Sequence, residues 1–464
     1  MALPTDIASL HALIEKLIAE NAQLRKRIAE LEAQLNQNSK NSSRPPSSDG
    51  FKKLPGLPKK KSGKRGGQRG HQGNTLKMVE VADEHHDVKA EVCPHCEAGL
   101  SGTDITWEAG AKRQEFDLPE PKLHVREFQA YACNCPGCGE RVESEFPEGI
   151  NSAVQYGPGV RAWSTMLSVE YKLPFKKIRQ FFADLFGYDL NEATALSATK
   201  RCYDGLEETE AYIREQLLKS ELAHFDETGL RVEGKNHWLH VASNALWTYL
   251  FVHKKRGQKA LNDDQSIIKD FKGRAVHDSW GSYFLYKNAQ HALCGAHLLR
   301  ELNGLIEGGS IWARSMHRFM MTLYRMSEQG TSALSPEQLN KESLLFDKII
   351  LLADQEEPPP TRKAKTGRAK ATKGRNLFER MQKRKEAVLA FARHPEVPFT
   401  NNQAERDVRH AKIKTKVATS FRTLQGAEGY ARISAAISTF RKQQINPFQQ
   451  LRLIFEGKQV EWAK

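Results

Sequence analysis

Three acidic residues stand where the sequence pattern predicts the ends of two strands and the start of a helix. Asp226 and Asp278 each close a short strand-like run. Glu405 falls in the first turns of a helix that Thr400 or Asn401 can cap. Carboxylates from two strands and a helix can hold two Mg²⁺ or Mn²⁺ ions roughly 4 Å apart and support phosphoryl transfer. The pattern predicts a metal-dependent site that acts on phosphodiesters.

Spacing alone does not select these three acids, because the chain has 56 Asp and Glu residues and most carboxylates are solvated. Glu227 is expected to point to the opposite face of the strand from Asp226. Asp407 is the nearest rival to Glu405.

Four cysteines form a second candidate metal site. Cys93 and Cys96 make one C-x-x-C pair, and Cys135 and Cys138 make another with a proline inside it. A doubled C-x-x-C pattern is typical of a zinc ribbon, whose four thiolates leave no open position and so give a structural Zn²⁺. Cys133 can replace a member of the second pair. The alternative is two pairs of free thiols.

The positive charge is concentrated in two runs. The chain carries a formal net charge of +14, and the runs at 40–73 and 361–385 both contain many Lys and Arg residues and a single acid. Such runs favour a polyanionic partner, and the alternative role for the first run is solubility and spacing. The candidate phosphate contacts in the first run are Lys59, Lys60, Lys61, Lys64 and Arg65.

Residues 1–36 predict a coiled coil. Isoleucine and leucine repeat at positions a and d, and Asn21 is a polar residue at an a position. Isoleucine at a with leucine at d favours two parallel strands, and one buried Asn fixes the register. We expect a homodimer or a higher oligomer through this segment; the alternative is an amphipathic helix that packs on its own protein.

Several blocks together carry a family resemblance, in order along nearly the whole chain. They are Asn38–Asp49, the two cysteine pairs, His224–Thr228, Asn401–Arg406, Phe421 with Gly426–Gly429, and Asn446–Phe448. On these blocks the chain resembles the DDE transposases of the IS-sixty-six class, the TnpC type, of bacterial insertion sequences. It departs in one respect, since members of that class often begin the second cysteine pair at the position of Cys133.

The resemblance implies a multidomain α+β chain with a ribonuclease-H-like α/β catalytic core. Asp226, Asp278 and Glu405 map onto the DDE triad and would bind Mg²⁺ or Mn²⁺. Cys294 and His297 resemble a C-x-x-H element of several transposase groups, for which we expect a structural role.

The expected organisation has seven segments. They are the coiled coil 1–36, a disordered basic linker 37–75, a zinc-ribbon-like DNA-binding module 76–150, a helical DNA-binding or connecting region 151–220, the first part of the core 221–296, a helical insertion with a basic loop 297–399, and the end of the core with a C-terminal helical segment 400–464.

The implied activity is cleavage and strand transfer at the terminal inverted repeats of an insertion sequence. The partners would be double-stranded DNA, both transposon ends and target, and small accessory proteins of the same element. Arg406, Arg409 and Lys412 would follow phosphates, unless they form a solvated helix face. The rival functions are a zinc-ribbon DNA-binding regulator without catalysis, a plain nuclease, and an inactive transposase copy.

No stretch approaches the roughly 20 apolar residues that span a bilayer, and the N-terminus lacks the apolar region of a signal peptide. We therefore expect no membrane partner and a bacterial cytoplasmic location in association with the nucleoid.

Overall fold

The computed structural model describes residues 6–35, 37–38, 41–42, 76–101, 105–329, 335–360, 369 and 371–462. The phosphate contacts predicted between Lys59 and Arg65 lie outside these ranges. The chain divides into two compact units, one of residues 1–50 with 126–464 and one of residues 51–125.

A five-stranded mixed sheet organises the larger unit. Its strands are β3 (Leu222–Val232), β4 (Lys235–Ser243), β5 (Thr248–His253), β6 (Arg274–His277) and β7 (Gln290–Leu293), after a separate hairpin of β1 (Ala132–Asn134) and β2 (Arg141–Glu143). The order is β5-β4-β3-β6-β7; β3, β4 and β5 are antiparallel neighbours, whereas β6 and β7 run parallel to β3.

The tight connection between β3 and β4 follows from its two residues. Glu233 and Gly234 have φ angles of 51° and 72°, and a two-residue loop with both φ angles positive matches the twist of a hairpin. This turn fixes the register that pairs Asp226 with Val241.

Helices surround the sheet. Before it come α1 (Ile7–Leu35), α2 (Pro158–Val169), α3 (Phe175–Phe186), α4 (Glu192–Gly205) and α5 (Glu207–Lys219); after β5 come α6 (Gln258–Leu261), α7 (Gly295–Glu307), α8 (Ile311–Gln329), α9 (Pro336–Glu356), α10 (Lys373–Lys383), α11 (Lys385–Arg393), α12 (Asn402–Ala418), α13 (Leu424–Lys442) and α14 (Pro447–Phe455). The chain is therefore a mixed α/β protein, and none of its described helices is long and apolar enough to cross a membrane.

Alternation along β3 sends its side chains into two different cores. Leu230 and Val232 pack with Ala404 and Val408 of α12. Phe225, an odd-numbered residue earlier in β3, packs with Tyr283 in another core. Because successive side chains of a strand point to opposite faces, Asp226 faces α12 and Glu227 faces away from it.

Helices α7 to α11 lie between β7 and α12 and share one core, in which Trp312 is fully buried. Three of the described cations of the second basic run take part in this packing. Arg375 pairs with Asp354 and Glu379, Arg380 with Glu301, and Lys385 with Asp347. These three cations of the run are already matched by acids of the helical region, and therefore offer little net charge to DNA.

Candidate functional site

Asp226 and Asp278 lie at matching positions on neighbouring strands. The parallel pairing of β3 and β6 ends with His224 opposite Val276. Each aspartate lies two residues beyond that last pair, Asp226 still within β3 and Asp278 just after β6. The sheet therefore brings both carboxylates to one end of the two central strands.

Glu405 joins them from α12, the helix that covers this face of β3. The pKa of Asp226 is raised to about 8 because the carboxyl is buried and because the charges of Glu227, Asp278 and Glu405 lie near it. Their combined repulsion opposes ionisation of Asp226. The three acids that the sequence singled out are thus brought together, although 127 residues separate Asp278 from Glu405.

Asn401 fastens the start of α12 to the sheet. It is 2% exposed, and its Nδ2 donates to the carbonyl oxygen of Phe225 at 2.8 Å while its Oδ1 lies 2.8 Å from His224 Nδ1. Its backbone N–H donates to the sulfur of Cys294 at 3.2 Å. Asn401 occupies the cap position that the sequence allowed, but its side chain does not cap the helix. It binds the backbone beside Asp226 and so sets the distance between Asp226 and Glu405.

Glu227 is a buried acid that sequence reasoning set aside. Its side chain is 2% exposed and pairs with Arg256, which stacks on the rings of Trp238 and Trp280. Tyr283 donates its hydroxyl to the other carboxylate oxygen at 2.7 Å. Burial raises the pKa of Glu227, whereas Tyr283 and Arg256 oppose that rise. The negative charge of Glu227 therefore already has its partners.

Asp407 is excluded as a rival to Glu405 by its surroundings. Its side chain is 9% exposed and lies 2.8 Å from Lys442 Nζ, in a nearly buried ion pair. Lys442 also donates to the carbonyl oxygens of Asn244 and Trp247. Asp407 thus holds α13 and the turn before β5 against α12.

Glu405 contrasts with both of these acids. Its Oε1 is buried and has no hydrogen-bond partner among the described residues, and no described Lys or Arg forms an ion pair with Asp226, Asp278 or Glu405. Buried carboxylates without a cation are costly, and a divalent ion relieves that cost. Oxygen donors of this kind fit Mg²⁺ or Mn²⁺.

Cys294 and His297 lie beside Glu405 at the start of α7. A nitrogen of His297, the sulfur of Cys294 and a carboxylate oxygen of Glu405 all lie within 4.8 Å of one another. The C-x-x-H pair could be recognised in the sequence. Its proximity to Glu405 could not be predicted, because Glu405 follows more than 100 residues later.

A basic stripe continues along α12 from Glu405. Arg409, Lys412 and Lys416 follow at intervals of four, three and four residues, which places them on one side of the helix, and all three are exposed. Arg406 is exposed on the adjacent side and donates to Gln403 Oε1 at 2.8 Å.

The turns that begin at Cys93 and Cys135 have the same local geometry. In each, the N–H of the first cysteine donates to the carbonyl five residues on, and its own carbonyl accepts from the N–H four residues on. The residue after each C-x-x-C has a positive φ, 59° at Glu97 and 78° at Gly139. Backbone N–H groups within the turns lower the pKa of Cys93 and Cys135. Both turns therefore favour thiolates, as a zinc knuckle requires.

Comparison with known proteins gives two family matches. The model described as Transposase IS66 family matches residues 153–429, which is more than half of the chain and includes all three acids. A model described as Family of unknown function (DUF6444) matches residues 2–77. No curated protein matches the chain.

Replacing Asn401 with alanine should destabilise the protein by roughly 2–4 kcal/mol, because Phe225 and His224 lose their buried hydrogen-bond partner. Urea unfolding measures the effect. Asn402→Ala, at the exposed neighbouring position, is the matched control and should change the free energy of unfolding by less than about 0.5 kcal/mol. Equal effects of the two substitutions would contradict the role given to Asn401.

Asp226 should make the metal-free protein less stable as the pH rises. The pKa of Asp226 is 3.8 in the reference state and about 8 in the folded chain, so the folded state keeps a proton that the unfolded state releases. This proton stabilises the folded state fully below pH 3.8, and the stabilisation is lost as the pH rises through about 8. Relative to Asp226→Asn, the wild type should lose up to about 1.4 kcal/mol per pH unit. Urea unfolding in EDTA between pH 6 and 8 tests this; parallel curves for the two proteins would refute it.

Proposed function

Because the chain belongs to the IS66 family of transposases, we propose that it is a DDE transposase that binds the terminal inverted repeats of an insertion sequence, cleaves the DNA and joins the freed 3′ ends to a target. One observation carries this proposal. Asp226, Asp278 and Glu405 converge without a Lys or Arg partner among the described residues, whereas the neighbouring acids Glu227 and Asp407 each have one. The basic group beside the three acids is His297, which lies 3.9 Å from Glu405.

We also propose that the core is ribonuclease-H-like. The order of elements agrees with that fold: three antiparallel strands are followed by a helix and by a fourth strand that runs parallel to the first. The two aspartates belong to neighbouring strands. Helices α7 to α11 lie between the last strand and α12, where a helical insertion is implied for this class.

In this proposal Asp226 and Asp278 are the principal ligands of Mg²⁺ or Mn²⁺, and Glu405 completes the set. A pair of such ions, when bound, activates the attacking oxygen and stabilises the leaving oxygen of an in-line displacement. The protein contributes the positions of the carboxylates: the sheet register fixes the two aspartates, and Asn401 fixes Glu405. The resting proton on Asp226, which its raised pKa favours near neutral pH, would be released when a cation binds.

DNA would lie along α12. Arg409, Lys412 and Lys416 form an exposed row that begins one turn after Glu405, so phosphates on either side of a scissile bond could be held next to the carboxylates. Arg406 would contribute from the adjacent side. The segment Lys59–Arg65 would add salt-dependent contacts, and the helical region 151–220 would bind DNA or connect the modules.

Two further parts of the proposal concern the N-terminal half. Cys93, Cys96, Cys135 and Cys138 would bind a structural Zn²⁺; the matching turns at Cys93 and Cys135 support these pairs over one that uses Cys133, which lies in β1. Zinc content after dialysis tests this.

The long helix α1 would pair two protomers, since two DNA ends must be handled together. Its apolar side chains are exposed in a single chain, for example Ile14 at 50%, Leu17 at 48% and Leu24 at 61%. A second copy of the helix would cover them. Accessory proteins of the same element remain expected partners.

The rival functions make different predictions. A regulator without catalysis has no use for three converging acids within β3, just after β6 and at the start of α12. A plain nuclease would share the site but would not join strands. An inactive copy would bind DNA without either reaction.

The triad is tested by strand transfer with the element's own ends and Mn²⁺ or Mg²⁺. Asp226→Ala, Asp278→Ala and Glu405→Ala should each lower joining by at least about 100-fold, because each removes a metal ligand, with DNA affinity retained. Asp270→Ala, an exposed acid of the same domain, should react like wild type. Nicking without joining would favour the nuclease. DNA binding by all proteins with no reaction, even with accessory proteins present, would leave the regulator or the inactive copy.

The α12 stripe is tested by the salt dependence of DNA binding. Arg409→Ala and Lys412→Ala should each weaken binding and lower the slope of log K against log salt by about 1, as expected for one lost phosphate contact. Lys341→Ala, an exposed cation on α9, should leave the slope unchanged. Unchanged slopes for Arg409→Ala and Lys412→Ala would mean that the stripe is only solvated.

The coiled coil is tested by analytical ultracentrifugation of the full chain. Leu17→Asp places a charge in the apolar seam and should convert dimers to monomers, whereas Lys16→Asp on the neighbouring polar side should not. A wild type that sediments as a monomer, or a Leu17→Asp variant that stays dimeric, would count against pairing through α1.

A further inference from the structure

The group of Cys294, His297 and Glu405 is set by the backbone of three elements. Cys294 follows β7, and His297 lies three residues later in the first turn of α7, so the two side chains share one side of that turn. Glu405 faces them from the first turn of α12. His297 Nδ1 lies 3.9 Å from Glu405 Oε1, and all three ligand atoms lie within 4.8 Å of one another.

Two of these atoms are buried and make no hydrogen bond among the described residues, so that at most a long ion pair joins them. His297 Nδ1 and Glu405 Oε1 have no hydrogen bond within the described part of the chain, and 3.9 Å is too long for one between them. A buried polar atom that is left unpaired costs about 1–3 kcal/mol. Two such atoms that face one another beside a buried sulfur suggest that something binds between them.

The donor types indicate which class of ion that is. A thiolate, an imidazole and a carboxylate suit Zn²⁺ and related transition metals, whereas Mg²⁺ avoids sulfur. Cys294 is 1% exposed, and its sulfur already accepts the N–H of Asn401.

The surrounding backbone has little freedom to move these ligands apart. The N–H of Gly295 donates to the carbonyl oxygen of Phe399 at 2.8 Å, and a Cβ on Gly295 would come within 2.3 Å of the Phe399 ring. The ligand atoms around tetrahedral zinc lie about 3.3–3.8 Å apart. The three ligand atoms therefore need to move together by only about 1 Å.

We propose that Cys294, His297 and Glu405 bind one zinc-class ion, with a water or a substrate oxygen in the fourth position. Glu405 would then use Oε1 for this ion and keep its other oxygen for the catalytic metal. Zinc binding itself does not depend on the proposed function, but the consequence for catalysis does. The bound ion would fix the orientation of the Glu405 carboxylate.

The test is the zinc content of the full-length protein, dialysed against buffer with a trace of free Zn²⁺ and measured by mass spectrometry. Cys294→Ser and His297→Gln should each hold one zinc per chain fewer than wild type. Cys202→Ser, which alters a cysteine buried in another core, is the matched control and should keep the wild-type content. Cys93→Ser reports the ribbon site separately. Wild-type zinc content in both Cys294→Ser and His297→Gln would overturn the proposal and leave an ion pair of His297 with Glu405.

Thermal unfolding separates loss of the ion from loss of the fold. With EDTA the wild type, Cys294→Ser and His297→Gln should melt at similar temperatures, and added Zn²⁺ should raise the melting temperature of the wild type more than that of either variant. Equal increases in all three proteins would contradict the site. These measurements need no DNA, so they are distinguishable from a failure of strand transfer in Asp226→Ala, which changes no ligand of this ion.

Discussion

The burial of acidic side chains beside one another is the constraint on which this structure depends. Burial of the Asp226 carboxyl, together with the nearby charges of Glu227, Asp278 and Glu405, raises its pKa to about 8. Without a counter-ion, such a group either keeps its proton or, once ionised, repels the neighbouring carboxylates into solvent. The protein prevents the second outcome with the paired strands β3 and β6 and with Asn401, which joins α12 to both β3 and the end of β7. A proton on Asp226 relieves the repulsion in the metal-free protein, and in the proposed function a divalent cation would take its place.

Neutralisation by partners is what distinguishes the acids of this region. Glu227 has Arg256 and Tyr283, and Asp407 has Lys442; these acids stabilise packing. Asp226, Asp278 and Glu405 have no Lys or Arg partner among the described residues, although His297 lies 3.9 Å from Glu405; this arrangement supports the proposed metal site. Cys294 and His297 add softer ligands on one side of Glu405. In the two proposals, two kinds of ion would share the Glu405 carboxylate, and this would couple the helical region after β7 to the proposed catalytic centre.

The local parts of this arrangement could be predicted from sequence, and the long-range contacts could not. Asp278 ends a short apolar run and directly follows β6, as the pattern predicts. The prediction that Asp226 closes a strand is wrong, because the pairing of β3 with β4 continues beyond it to Val232. The partner of Asn401 could not be read in this way, because His224 lies 177 residues away along the chain. The same holds for Cys294 and Glu405. The acids that pair with Arg375, Arg380 and Lys385 could not be read from the sequence either, because only the packing of α7 to α11 brings them near. DNA contact by the rest of this basic run stays a prediction, since residues 361–368 and 370 lie outside the described residues.

The most direct measurement of the central claim is anomalous scattering from crystals of the protein grown with Mn²⁺. The account predicts Mn²⁺ within about 2.0–2.4 Å of carboxylate oxygens of Asp226 and Asp278, with Glu405 in the same shell, and loss of that peak in Asp226→Asn. An ordered site with no Mn²⁺ at these carboxylates, or Mn²⁺ that binds elsewhere and persists in Asp226→Asn, would contradict the account.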